Sequence, residues 1–367
     1  MRLKANLVQY LKEYGAKSFR EAPFSEVDAL VFAQLSYLKM KGIVPGFSGK
    51  TAVGWMEMAR HPQAEQMFAD PLYGKQHRRM FDLVAASRRY KNVRACCYKE
   101  WFDEEREGQF AAVTFLLGAT SVYVSFRGTD ETLVGWKEDF NMSYMKTVPA
   151  QKSALAYLKG AARYTSGRMI LGGHSKGGNL AVYAAAHAPE QIQSRIRRVY
   201  SFDGPGFHKA FYEKTGFIRI CGKYCKIIPE QAIIGTLFSN DAGYRVIRSY
   251  GTGMEQHDLM QWMIRNGRFV YLKDVRGRNA RKADIFNRWV NSLSRRQIRL
   301  FVEMLYRLIQ TAHVSDVSQL MKKPLHVLRV VLKNFISLDK DYQNAFWQTI
   351  RKLFEAVKIY HFGGKNA

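Results

Sequence analysis

Residues 169–186 read MILGGHSKGGNLAVYAAA. An apolar run suited to a buried strand meets two glycines, a His-Ser-Lys and two more glycines, and then an alanine-rich stretch suited to a helix. Few folds accommodate that junction. The glycines remove Cβ atoms where the chain turns, so strand and helix approach closely and the residue between them takes backbone angles that ordinary side chains avoid. Alanines at 181 and 184–186 let the helix lie tight against a sheet. The predicted fold class is α/β, with a mostly parallel sheet flanked by helices.

The flanking sequence extends that pattern. QFAAVTFLLG and TSVYVSFRGTD, rich in Val, Phe and Tyr around a glycine turn, predict a hairpin. SALAYLKGAARY predicts a helix, and IRRVYSFDG, YCKIIP and YRVIRSYG predict further strands. Residues 1–100 read as a mostly helical region packed on the core, and a candidate lid. Within it, SEVDALVFAQLSYLKMKGIVP opens on Ser25 as an N-cap and closes on Gly and Pro. Residues 101–275 form the predicted core. Residues 276–367 read as a helical extension with Arg and Lys on its polar side, entered or broken near Pro324.

Composition excludes several classes. The N-terminal residues have no apolar stretch followed by a cleavage site, and no run approaches the length of a membrane span. A cytoplasmic protein is expected. The four cysteines lie as an adjacent pair, Cys96 and Cys97, and as Cys221 and Cys225; neither spacing is a zinc pattern, and buried reduced thiols are expected. No metal or cofactor is implied. The formal net charge of +26 favours polyanionic partners. Basic residues are spread along the chain rather than gathered in one arm, which disfavours dedicated nucleic-acid binding and leaves an anionic membrane surface as a candidate partner.

Gly173-His174-Ser175-Lys176-Gly177 fits G-x-S-x-G, with the strand before and helix after that this motif requires. A serine raised on such a turn is a candidate nucleophile. The Lys176 backbone N–H, at a helix N-terminus, is a candidate oxyanion donor. The base must be a histidine, and in this architecture it follows the acid in the chain. His257 stands after the last predicted strand and a Gly-rich loop; His208 is too close to the preceding strand, and His313 and His326 sit in helical patterns. Asp203 ends the strand after the nucleophile helix, where a carboxylate reaches the imidazole. Asp-Gly-Pro-Gly is also good turn chemistry, and Glu230, Asp241 and Asp258 remain alternative acids. His174, pointing away from the serine, is expected to support the turn.

The series VDALVFAQLSYL, QFAAVTF, FRGTD, GHSKGGNLA, FDGPGF and QHDLMQW, over roughly residues 20–265, resembles a family of bacterial lipase-like α/β-hydrolases of uncharacterised function, related to the class 3 lipases. The resemblance implies an α/β-hydrolase fold and Ser175 as nucleophile. It implies the Lys176 and Thr129 N–H groups as the oxyanion hole, with the Thr129 hydroxyl as a further donor, and Asp139 as the acid that buttresses that loop. His257 matches the family's QHD. The class 3 lipases take their acid from a later loop, which here is IIPEQAIIG and holds only Glu230. The expected activity is that of a serine esterase acting on a small-molecule or lipid ester. The rival expectation is a catalytically degenerate hydrolase scaffold whose basic surface binds nucleic acid or an anionic membrane.

Overall fold

The computed structural model describes residues 5–49, 51–130, 132–273, 278–311 and 324–362. By internal contact the chain divides into two compact units. The first comprises residues 1–101, 110–128 and 150–280; the second comprises residues 102–109, 129–149 and 281–367.

The first unit is built on a nine-stranded sheet. Its strands run in chain order: β1 (Val53–Gly54), β2 (Arg94–Asp103), β3 (Gly108–Leu116), β4 (Ser121–Phe126), β5 (Arg168–His174), β6 (Ile196–Phe202), β7 (Tyr224–Pro229) and β8 (Arg245–Ile247). A short hairpin of β9 (Ile264–Arg265) and β10 (Arg268–Phe269) precedes the last strand, β11 (Tyr271–Leu272), which pairs antiparallel with β8. Strands β4 to β8 are parallel to one another; β3 joins β4 antiparallel, as the predicted hairpin. Helix α6 (Pro149–Tyr164) connects β4 to β5, and α7 (Lys176–His187) connects β5 to β6. The alanines of α7 are all buried, so this helix sits close on β5 and β6. That is the α/β-hydrolase arrangement.

The N-terminal helices α1 (Leu7–Tyr14), α2 (Glu26–Leu35), α3 (Trp55–Ala59) and α4 (Gly74–Ala85) belong to the same unit as the sheet. Ser25 caps α2 in a reciprocal capping box with Asp28. The helix is not amphipathic: every residue from Val27 to Leu35 is buried. Its Ala29 and Phe32 carbonyls accept hydrogen bonds from Tyr123 Oη and Ser125 Oγ of β4. Asp28 is fully buried and would be costly there alone. It receives a bidentate pair from Arg89 at 2.6 and 2.7 Å and hydroxyl donors from Tyr10 and Tyr90. This network ties α1, α2 and the chain after α4 together.

Residues 94–103 are a strand, where the sequence reads as helical. The period is obscured because Cys97 has φ +57°, a kink that leaves four successive residues buried instead of alternating. Cys96 and Cys97 are buried free thiols, whereas Cys221 is exposed.

The second unit has its own core. Helix α5 (Leu133–Asn141) and the helices α10 (Arg278–Ser292), α11 (Arg295–Gln310), α12 (Pro324–Ile336) and α13 (Lys340–Phe362) supply it; between α7 and α10 the first unit adds α8 (Glu190–Arg195) and α9 (Thr215–Ile218). Trp289, Val290, Ile298, Val302 and Ala356 are its buried centre. Ser294 starts α11 through a capping box with Gln297. Pro324 opens α12, where its missing N–H costs nothing. Among the described residues no helix is long and apolar enough to cross a membrane.

Candidate active site

Strand β5 ends at His174, and Ser175 turns the chain into α7 with φ +55° and ψ −130°. That is a left-handed conformation that a serine adopts only when its surroundings enforce it. The enforcement is steric. A Cβ at Gly173 would run into the Gly177 carbonyl and Phe126 O, and a Cβ at Gly177 would run into Phe126 O. A Cβ at Gly128 would meet the His174 carbonyl at 2.7 Å and the Ser175 Cβ at 3.3 Å. The Ser175 N–H donates to the Phe202 carbonyl at 2.9 Å, which anchors the turn to β6.

Strand β6 ends one residue before Asp203, which has φ +47°. Its N–H donates to the Ile227 carbonyl at 2.8 Å. The side chain is 1 % exposed. Its Oδ1 accepts the Gly235 N–H at 3.0 Å, and its Oδ2 accepts His257 Nδ1–H at 2.6 Å. With Nδ1 donating to the carboxylate, His257 Nε2 is left as an acceptor. Glu230 and Asp258 do not share this role. Glu230 accepts from the Ser249 N–H at 3.4 Å, and Asp258 caps the Leu259–Gln261 turn through the Met260 N–H at 2.9 Å. Asp241 accepts from Ser239 Oγ, and His208 is exposed. His313 lies outside the described residues, as does the side chain of His326.

His174 does more than support the turn. Its ring lies against that of His257, with centroids 4.4 Å apart, and its Nδ1 is 2.9 Å from the Tyr37 hydroxyl. Burial, and then the neighbouring His257, push its pKa well below the ordinary histidine value, against a raising contribution from the His257 main chain. It is neutral at physiological pH. Tyr37, on the turn after α2, lies within the motif VDALVFAQLSYL, but nothing in the sequence pairs it with His174, 137 residues away.

Lys226 of β7 is the second group the sequence does not reveal. It is buried, its Nζ donates to Asn240 Oδ1, and burial pulls its pKa down to about 7 despite the attraction of Asp203. Lys176, beside Ser175, is also buried. Within the second unit, the Thr129 hydroxyl donates to Asp139 Oδ2 at 2.5 Å, so the two residues that the resemblance connects are bonded to each other. Among the described residues no cluster of three His, Cys, Asp or Glu side chains could hold a metal ion.

A mostly parallel sheet, a strained serine between strand and helix, and a carboxylate at the end of the next strand bonded to the imidazole of His257, in the loop after β8, define a lipase-like α/β-hydrolase fold. The chain belongs to the Mbeg1-like family, whose sequence profile matches residues 84–307, well over half of its length. Solved structures it is similar to include the M37 lipase, at 12 % identity and a TM-score of 0.37 over 60 % of this chain and 71 % of that one. A fungal lipase in complex with an inhibitor is 14 % identical, with a TM-score of 0.35 over 66 % of this chain and 78 % of that one. The native Rhizomucor miehei lipase propeptide complex is 16 % identical, with a TM-score of 0.30 over 46 % and 58 %. No curated protein matches the sequence.

Proposed function

We propose that the protein is a serine hydrolase that cleaves carboxylic esters of the acyl or lipid type through an acyl-enzyme. The observation that carries the reading is the 2.6 Å bond between Asp203 and His257 Nδ1, one strand away from the strained Ser175. In this reading Ser175 Oγ bonds to the acyl carbon while its proton passes to His257 Nε2. Asp203 stabilises the imidazolium and fixes its tautomer. The carbonyl electrons, displaced onto oxygen, are held by the Lys176 N–H at the positive end of α7. Collapse breaks the ester C–O bond, and the leaving alcohol takes the proton back from His257. Water, deprotonated by the same imidazole, then attacks the acyl-enzyme, and collapse returns the proton to Ser175 Oγ and frees the acid.

Labelling with a fluorophosphonate tests this. Wild type labels and Ser175→Ala does not; equal labelling of the two, or none of either, overturns the reading. A chain-length series of p-nitrophenyl esters then reports which acyl group is preferred.

A further inference from the structure

The α12–α13 pair of the second unit turns its unburied side outward with an unusual composition. On α13, Trp347, Arg351, Phe354 and Lys358 follow one another at four-, three- and four-residue steps, so they form a single stripe. All four are exposed, Trp347 by 58 % and Phe354 by 62 %. The opposite side of the same helix is fixed in the core. Ala356 is buried, Leu353 packs beside it, and the Thr349 carbonyl accepts the Trp289 indole N–H at 2.9 Å. On α12, Arg329, Leu332, Lys333 and Ile336 form a matching exposed stripe, with Leu332 at 55 % and Ile336 at 78 %. A ring contact between Phe335 and Trp347, centroids 6.1 Å apart, joins the two helices. Over residues 329–358 six Lys and Arg stand against three acids, of which Glu355 lies beside the α13 stripe.

We infer that this face docks on an anionic lipid bilayer. Large apolar side chains left in water favour an apolar phase, and here cations are interleaved among them. An interfacial helix uses that combination: apolar tips enter the headgroup–acyl boundary, and Lys and Arg stems extend up to the phosphates. A tryptophan suits that depth because its ring is apolar and its N–H is not. Duplex nucleic acid would use the cations, but it has no place for Leu332 and Ile336. The inference concerns docking and does not depend on the chemistry at Ser175.

The test is sedimentation of the full chain with vesicles of equimolar phosphatidylcholine and phosphatidylglycerol, and with vesicles of phosphatidylcholine alone. Wild type is expected to partition at least about tenfold better onto the anionic vesicles, an advantage that high salt removes. The Trp347→Ser/Phe354→Ser double variant should lose about tenfold or more. Arg351→Gln/Lys358→Gln should lose about 25-fold at low salt, near fivefold per cation. Brominated lipid provides a readout that needs no disruptive change: it should quench more emission in wild type than in Trp347→Phe. No preference for anionic vesicles overturns the inference, and so does a serine double variant that binds like wild type. It is equally overturned by DNA binding that is tighter than vesicle binding at the same salt, or by a wild-type dimer that the serine double variant dissociates.

Discussion

The turns at Ser175 and Asp203 close adjacent parallel strands, and both hold a non-glycine residue at positive φ, +55° and +47°. They are held in opposite ways. The Ser175 turn is a steric construction: glycines at 173 and 177 let Phe126, Gly177 and the elbow backbone crowd together, and the serine conforms. The Asp203 turn is a polar construction. Its carboxylate is buried and bound by the Gly235 N–H and His257, with Lys226 nearby. Aspartate also tolerates left-handed angles far better than serine does. One turn is maintained by space and the other by charge, so each should fail differently.

The largest expected effect is on the polar turn. Asp203→Asn keeps the shape but favours the wrong His257 tautomer, so kcat on a p-nitrophenyl ester should fall about 10³- to 10⁴-fold with little change in melting temperature. A rate within tenfold of wild type would separate the carboxylate from the chemistry. The steric turn should lose stability instead. Gly177→Ala places a Cβ against Phe126 O and should cost about 3 kcal/mol or more in a denaturant titration. Gly235→Ala puts a Cβ onto Asp203 Oδ1 and the Ile228 side chain; the displaced carboxylate should lower kcat about 100-fold. If Gly235→Ala lowered stability as much as Gly177→Ala does and left turnover intact, the contrast between the turns would be lost.

Two smaller effects sharpen it. Ser175→Gly relieves the left-handed strain and should be about 1–2 kcal/mol more stable than wild type. The last concerns pH. Native His174 is held neutral, with its pKa well below 6.5, while in the unfolded chain it takes up a proton near 6.5. Its contribution is therefore fully present above that pH and is lost as the pH falls below it. His174→Gln removes this dependence, so below pH 6.5 its stability should fall less steeply than that of wild type, by up to about 1.4 kcal/mol per pH unit. Parallel acid limbs in the two proteins would mean that His174 is not held neutral.

The same contrast explains what the sequence made legible. The elbow's signature lies within a few residues of Ser175, because crowding between a strand and the helix that follows it is a local matter. The α/β class follows from that junction and the strands around it. The partner of Asp203 lies 54 residues away, and that of His174 lies 137 away, so those bonds leave no local trace. Chain order and family resemblance point to His257, and strand position favours Asp203, but the class 3 resemblance points to the loop of Glu230, so only the hydrogen bond to His257 separates Asp203 from Glu230 and Asp258. Tyr37 and Lys226 look like an ordinary turn tyrosine and an ordinary strand lysine. Strand β2 was obscured by a backbone kink at Cys97, which composition does not announce.

The burial of α2 has a consequence for synthesis. The helix is made early, yet its Ala29 and Phe32 carbonyls wait for donors 94 and 93 residues further along the chain. At roughly 5–20 residues per second, a ribosome takes about 5–20 s to supply them. Throughout that interval the side of the helix that meets β4 has nothing to cover it. The nascent chain is therefore most exposed to aggregation, and most in need of a chaperone, before the sheet and its Ser175 turn exist.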